Sequence, residues 1–161
     1  MGEWRTFEPR PGRAGAGLRP GDGVSWIMTT MRVFGVYLVT LAAFLAVDAL
    51  WLGVVARGFY KRELGHLLSP DVRWAAAGIF YLLYVAGVLI LVVFPHLHAP
   101  PWRTVLLGAL FGLCAYAAYD LTNLATLVRW PVMVTVVDMV WGTVLTGITA
   151  AIGRQAARWL V

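Results

Sequence analysis

Charge is what this chain has least of. Asp, Glu, Lys and Arg make up 13% of its 161 residues against 60% hydrophobic, and residues 75–94 carry no charge at all. A helix of a soluble protein needs a polar face opposite its apolar stripe, and that stretch has none. Alternation of apolar and polar residues is also missing, which excludes the strands of a membrane barrel. The one cysteine, Cys114, cannot close an intrachain disulfide and reads as a small buried hydrophobe. A Gly-rich phosphate loop, a Cys/His metal cluster and a nucleophile elbow are all absent from the sequence. His96 and His98 are spaced His-x-His in a Pro-rich turn without an acid or cysteine nearby, so neither a metal site nor a cofactor is expected.

What the chain does have is four long apolar runs, at about 31–56, 74–94, 103–127 and 131–153. Each is near or above the ~20 residues that carry a helix across ~30 Å of hydrocarbon. The fold class that follows is all-α: an integral membrane bundle of four antiparallel transmembrane helices, with an interfacial loop between helices 1 and 2. Trp26, Trp74, Trp102, Trp130 and Trp159 fall at or near the run ends, where an amphipathic ring prefers the headgroup layer. Residues 1–30 contain runs such as Arg10-Pro11-Gly12-Arg13-Ala14-Gly15 and read as a disordered tail. With Met28 and Met31 at the edge of the first run, they read equally as a mis-assigned start. Five of the thirteen basic residues lie at or before Arg32 and the rest flank helix ends. The net charge of +5 therefore points to the lipid bilayer and its anionic headgroups as partner, not to nucleic acid.

With four spans both termini share one side, here side A, and the loop at 57–73 lies on side B. Side B carries Arg57, Lys61, Arg62, Arg73 and Arg129, and side A carries Arg32, Arg103, Arg154 and Arg158. The count is nearly balanced, and cytoplasmic termini are the expectation.

Three acids sit inside the runs, although each costs roughly 2.5–3.5 kcal/mol to insert. Asp48 lies eight residues before the end of the first run, Asp120 seven before the end of the third, and Asp138 seven after the start of the fourth. At 1.5 Å per residue all three, with Tyr81 of the second run, are expected roughly 10–12 Å below side B. Residues three or four apart share a helix face, which adds Trp51 to Asp48, Tyr84 to Tyr81, Tyr116 and Asn123 to Asp120, and Trp141 to Asp138. The first and fourth runs repeat a short pattern, Val47-Asp48-Ala49-Leu50-Trp51 and Val137-Asp138-Met139-Val140-Trp141, which in antiparallel helices predicts the two indoles on opposite sides of the acids. Carboxyls that close in a low dielectric share protons and titrate as a group. Such a layer suits proton or cation exchange and equally acid–base catalysis. Interhelical hydrogen bonding alone is the plainer alternative, at about 0.6 kcal/mol per contact.

The side-B loop mixes apolar anchors with cations. Tyr60, Lys61, Arg62 and His66 are the candidate headgroup-binding residues, and an ordinary amphipathic connector with snorkelling cations is the alternative.

Five blocks carry a family resemblance. They are Val47-Asp48-Ala49-Leu50-Trp51-Leu52-Gly53, Phe59-Tyr60-Lys61-Arg62-Glu63-Leu64-Gly65-His66, Phe80-Tyr81-Leu82-Leu83-Tyr84, Tyr119-Asp120-Leu121-Thr122-Asn123-Leu124-Ala125-Thr126 and Asp138-Met139-Val140-Trp141-Gly142. In that order, over about 31–153, they resemble the bacterial membrane-protein family filed as domain of unknown function 2177. The resemblance implies a small multi-pass protein of the bacterial inner membrane and brings no activity or site residues with it.

Three functions remain open from the residues. One is proton- or cation-linked movement of a small solute through the acid layer, for which a homo-oligomer is expected because four helices leave little room for a pathway. The second is a membrane-embedded enzyme acting on lipid, with the acids as general acid and base. The third is a structural or assembly subunit, suggested by Gly108, Gly112, Gly142 and Gly147, which permit close helix approach.

Overall fold

A computed structural model describes residues 22–161, and every regular element in it is helical. In chain order these are α1 (Asp22–Leu50), the short α2 (Arg57–Leu64), α3 (Trp74–Gly87), α4 (Pro101–Thr126) and α5 (Val132–Leu160). The first span continues beyond α1 as a π-helical stretch, Trp51–Val55, and the second continues beyond α3 as another, Val88–Val93. Four helices, Trp26–Val55, Trp74–His96, Pro101–Thr126 and Val132–Leu160, are long and apolar enough to cross a bilayer.

The ends depart from expectation in two places. Helix α1 begins ahead of Met31, so part of the anticipated tail is helical, while residues 1–21 lie outside the described part. Helix α5 runs on past Gly153 to Leu160, and Arg154, expected to flank the helix end, lies inside the helix. It is buried, and its Nη2 donates to the carbonyls of Leu97 (3.2 Å) and Ala99 (2.7 Å), tying the connection between the second and third spans to α5. The connection between α4 and α5 is tight enough to force Arg129 into the left-handed region, φ 64°.

Helix α5 is the centre of the bundle, packed along both α4 and α1, with α3 leaning on α1. The α4–α5 approach rests on the small residues. Gly112 faces the Gly142 carbonyl and the Thr146 side chain, Gly108 faces Ala150, and Gly142 lies under the Tyr116 ring. A methyl at Gly112 or Gly142 would overlap those atoms, so the helices come this near only because the side chain is a hydrogen.

Burial is arranged for lipid. Val36, Phe44, Val85, Val88 and Leu145 are fully buried, whereas large apolar side chains such as Leu83 (68% exposed) and Val54 (72%) cover the outside. In water that exterior would drive aggregation; among acyl chains it is solvated. Three buried threonines satisfy themselves one turn back, Thr40 to the Val36 carbonyl, Thr146 to Gly142 and Thr149 to Leu145, so these hydroxyls are not free donors; buried Thr104 donates instead to the His96 carbonyl (3.5 Å).

Candidate functional site

Helix α3 determines where the opening lies. It meets α1 along its length but approaches α4 mainly through the π-helical stretch that follows it, so on the side-B half the two helices stand apart. Between them lies a cavity of about 400 Å³, backed by α1 and α5 and lined by Asp48, Leu52, Tyr60, Phe80, Tyr81, Tyr84, Ala115, Tyr116, Tyr119, Asp138 and Trp141. The chain has six tyrosines, and all but Tyr37 are on this wall. Phe80 and Tyr119, on the two helices that stand apart, are each about half exposed within their spans, so this edge of the cavity lies on the apolar outer surface of the bundle.

The polar groups inside form two networks joined by an aromatic stack. In the first, Asp48 accepts from the Tyr81 hydroxyl at Oδ2 (2.8 Å) and from Trp141 Nε1 at Oδ1 (3.1 Å). In the second, Trp51 Nε1 donates to the Tyr60 hydroxyl (3.2 Å), which in turn donates to Asp138 Oδ1. The Trp51 and Trp141 rings lie face to face, centroids 4.3 Å apart and planes 8° from parallel. Each indole therefore serves the acid of the other helix: Trp141 bonds Asp48 directly, and Trp51 reaches Asp138 through Tyr60. Asp138 Oδ2 has no partner among the described residues and remains accessible on the cavity wall. Burial pushes the Tyr60 phenol above the ordinary tyrosine range, and its bond to Asp138 pushes the same way.

Two sequence expectations need correction. The indoles stack on each other instead of standing on opposite sides of the acids. The acids are also stepped, not level. Trp51 is one turn nearer side B than Asp48, and Trp141 one turn farther from side B than Asp138. With the two rings paired, Asp138 falls on the side-B flank of the stack and Asp48 on the deeper flank. Counting inward from helix ends presumed that the ends are level. The α1–α5 register is set instead by packing, Gly35 against Leu160, Gly153 against Thr40 and Trp51 against Trp141.

The third acid stands behind the cavity. The α4–α5 register turns Asp120 toward the turn of α5 that carries Val134, Thr135 and Asp138. It is fully buried, with no partner for either carboxyl oxygen among the described residues. Asn123 does not line the cavity either.

At the floor, the Thr146 hydroxyl proton is committed to the Gly142 carbonyl, so Tyr84 donates to Thr146 Oγ1 (2.6 Å). Phe44 and Phe111 flank Tyr84, with ring centroids 5.3 and 5.6 Å away. The side-B loop divides. Tyr60 turns inward from α2 and is half-buried, whereas Lys61, Arg62 and His66 face outward, Arg62 paired with Glu63 at 3.0 Å. Leu52, Phe80, Ala115 and Tyr119 are lining residues beyond the expected set. Tyr119 had a usable signal, since it follows Tyr116 by three residues on the same face of α4.

The family model described as predicted membrane protein, domain of unknown function 2177, matches residues 33–155. The chain belongs to that family. The match takes in the second and third spans, most of the first and fourth, the side-B loop and every residue of the cavity wall. No curated protein and no solved structure matches the chain. Family membership thus states membrane residence in agreement with the four apolar helices, and what the site does has to be argued from its geometry.

Proposed function

We propose that this protein is a membrane-embedded acid–base site for an amphipathic, lipid-like molecule that enters sideways from the bilayer between α3 and α4. The observation that carries the reading is the cavity itself: Phe80 and Tyr119 at its edge are exposed on the apolar outside of the bundle, where acyl chains would lie, and its inner wall holds Asp48, Asp138 and Tyr60. A volume of about 400 Å³ takes a polar head and the start of a chain while the remainder stays in the membrane. Asp138, with one oxygen bound by Tyr60 and the other free, is the group placed to accept or donate a proton at the head. Asp48, bound at both oxygens, acts as a fixed acceptor and local charge. Asp120 stands behind the wall as a second buried carboxyl. The same reading places the protein in the bacterial inner membrane with cytoplasmic termini.

Proton- or cation-linked solute movement is the less favoured reading. Between the floor at Tyr84 and side A the bundle is filled by Val36, Val85, Val88, Leu89 and Leu145, and Thr40, Thr146 and Thr149 are bonded to their own helices. A pathway would need a second copy of the chain.

The test is lipid profiling of the host after deletion of the gene and after complementation. Accumulation of one amphiphile, reversed by the wild type and not by Asp138→Asn, supports the reading. An unchanged profile together with pH-dependent flux in proteoliposomes that Asp120→Asn abolishes would overturn it in favour of transport.

A further inference from the structure

Resting on that reading, the cavity wall also indicates which head group it accepts. Two carboxyls share the wall, and among the described residues no Lys, Arg or His lines it. The nearest cations in sequence, Lys61 and Arg62, stand on the outward face of α2. Asp48 is held by one O–H and one N–H donor, the pattern of an acceptor-only carboxylate, and neither donor brings a compensating charge. Asp138 is likewise held by a neutral phenol, with Oδ2 left over. An anionic head would stand against both carboxyls. A neutral hydroxyl would satisfy Oδ2 but leave the charge unbalanced.

Apart from Leu52 and Ala115, the remainder of the wall is aromatic: Phe80, Trp141 and five tyrosines. Ring faces attract cations, and the attraction strengthens where water is excluded. Carboxylates for counter-charge and rings for the alkyl shell of an ammonium are the two halves of a recognition site for organic cations.

We propose that the cleft selects an amphiphile whose head is an amine or quaternary ammonium and whose body is a hydrocarbon chain. The head lies between Asp138 Oδ2 and the tyrosine rings, and the chain leaves between Phe80 and Tyr119. Phosphate-headed lipids are excluded by charge, which removes the headgroup-clamp role first expected of Lys61, Arg62 and His66.

The test titrates the full chain, in micelles of a neutral detergent, with three probes of equal chain length: dodecyltrimethylammonium, dodecanol and dodecyl phosphate. Binding is read by native mass spectrometry. The expected result is that the ammonium probe binds at least about tenfold more tightly than either other probe. Asp138→Asn should remove that preference, and Asp71→Asn, an exposed acid outside the cavity, should leave it intact. Tyr119→Leu, which takes a ring from the mouth without touching either hydrogen-bond network, should weaken the ammonium probe selectively, and it keeps the test decisive if Asp138→Asn misfolds. A two-chain lipid with the same trimethylammonium head, added as competitor, distinguishes the sources: competition identifies a bilayer lipid, and binding of the single-chain probe alone identifies a diffusible amphiphile. Equal binding of all three probes, or a preference that survives both variants, overturns the charge assignment and leaves the sideways cleft standing. Binding of none of them overturns both.

Discussion

Tyr60 is the residue through which the side-B loop acts on the membrane site, and removing its hydroxyl alone is a sharp perturbation. Tyr60→Phe keeps the ring and its edge contact with Phe59 but deletes two hydrogen bonds, the donation to Asp138 and the acceptance from Trp51 Nε1. A bond to a charged acceptor contributes about 1.5–3 kcal/mol in soluble proteins. Polar contacts inside membrane bundles average about 0.6 and reach about 1.7 kcal/mol. Tyr60 is half-buried at the membrane boundary, so the expected loss is about 1–2 kcal/mol, between those two regimes. The assay is reversible unfolding in mixed micelles, with detergent composition as the denaturing variable. It should be run as a double-mutant cycle with Asp138→Ala, which removes the acceptor, and the pair should couple by about 1 kcal/mol because each single change already breaks the shared bond. If Tyr60→Phe falls within about 0.3 kcal/mol of wild type and the two changes add independently, Tyr60 does not hold Asp138 and the second network is refuted.

The helix contact gives another set of expectations. Gly112→Ala and Gly142→Ala should each destabilise by about 1–3 kcal/mol through overpacking, whereas Gly78→Ala, whose added methyl meets nothing within 4 Å, should be neutral or better by thermal unfolding. Asp120→Asn should leave stability unchanged or raise it, since neither carboxyl oxygen has a bond to lose; a loss above about 2 kcal/mol would reveal a partner and refute that placement. The Tyr60 phenol binds its proton more tightly folded than unfolded, so its contribution to stability is complete below about pH 10 and is lost as pH rises above that value. Tyr60→Phe should therefore flatten the stability profile above pH 10 and leave it unaltered at neutral pH apart from a constant offset.

The spans were legible because each is a long apolar run and the bilayer imposes one length on all of them. The close α4–α5 contact was legible at Gly108, Gly112 and Gly142 for a similar reason, as only small residues permit it. The acids and most of their aromatic companions were legible as types, but their partners were not. Helical spacing assigned Trp51 to Asp48 and Trp141 to Asp138, whereas each indole serves the carboxyl of the other helix. Neighbours on one helix share a face, and long side chains use that face to reach across to the next helix, so spacing finds the face and not the partner. Depth failed for a related reason, because the register between α1 and α5 comes from packing at Gly35 and Gly153, which counting from helix ends does not contain. Tyr60 was grouped with Lys61, Arg62 and His66 because eight residues of α2 are too few for periodicity to say which way one side chain turns. The sideways opening depends on where α3 leaves α4, a tertiary fact with no local signature.

The central claim is that the cleft between α3 and α4 is occupied from the bilayer. Ala115, the smallest side chain on its wall, permits a direct test: Ala115→Trp should fill the cavity while leaving both hydrogen-bond networks in place. Protein extracted with its native lipids should be compared, wild type against Ala115→Trp, by native mass spectrometry, with thermal unfolding as the control for folding. The account predicts a lipid-sized adduct on the wild type that is absent from a stably folded Ala115→Trp. Equal adduct on both proteins, or none on the wild type, would contradict it.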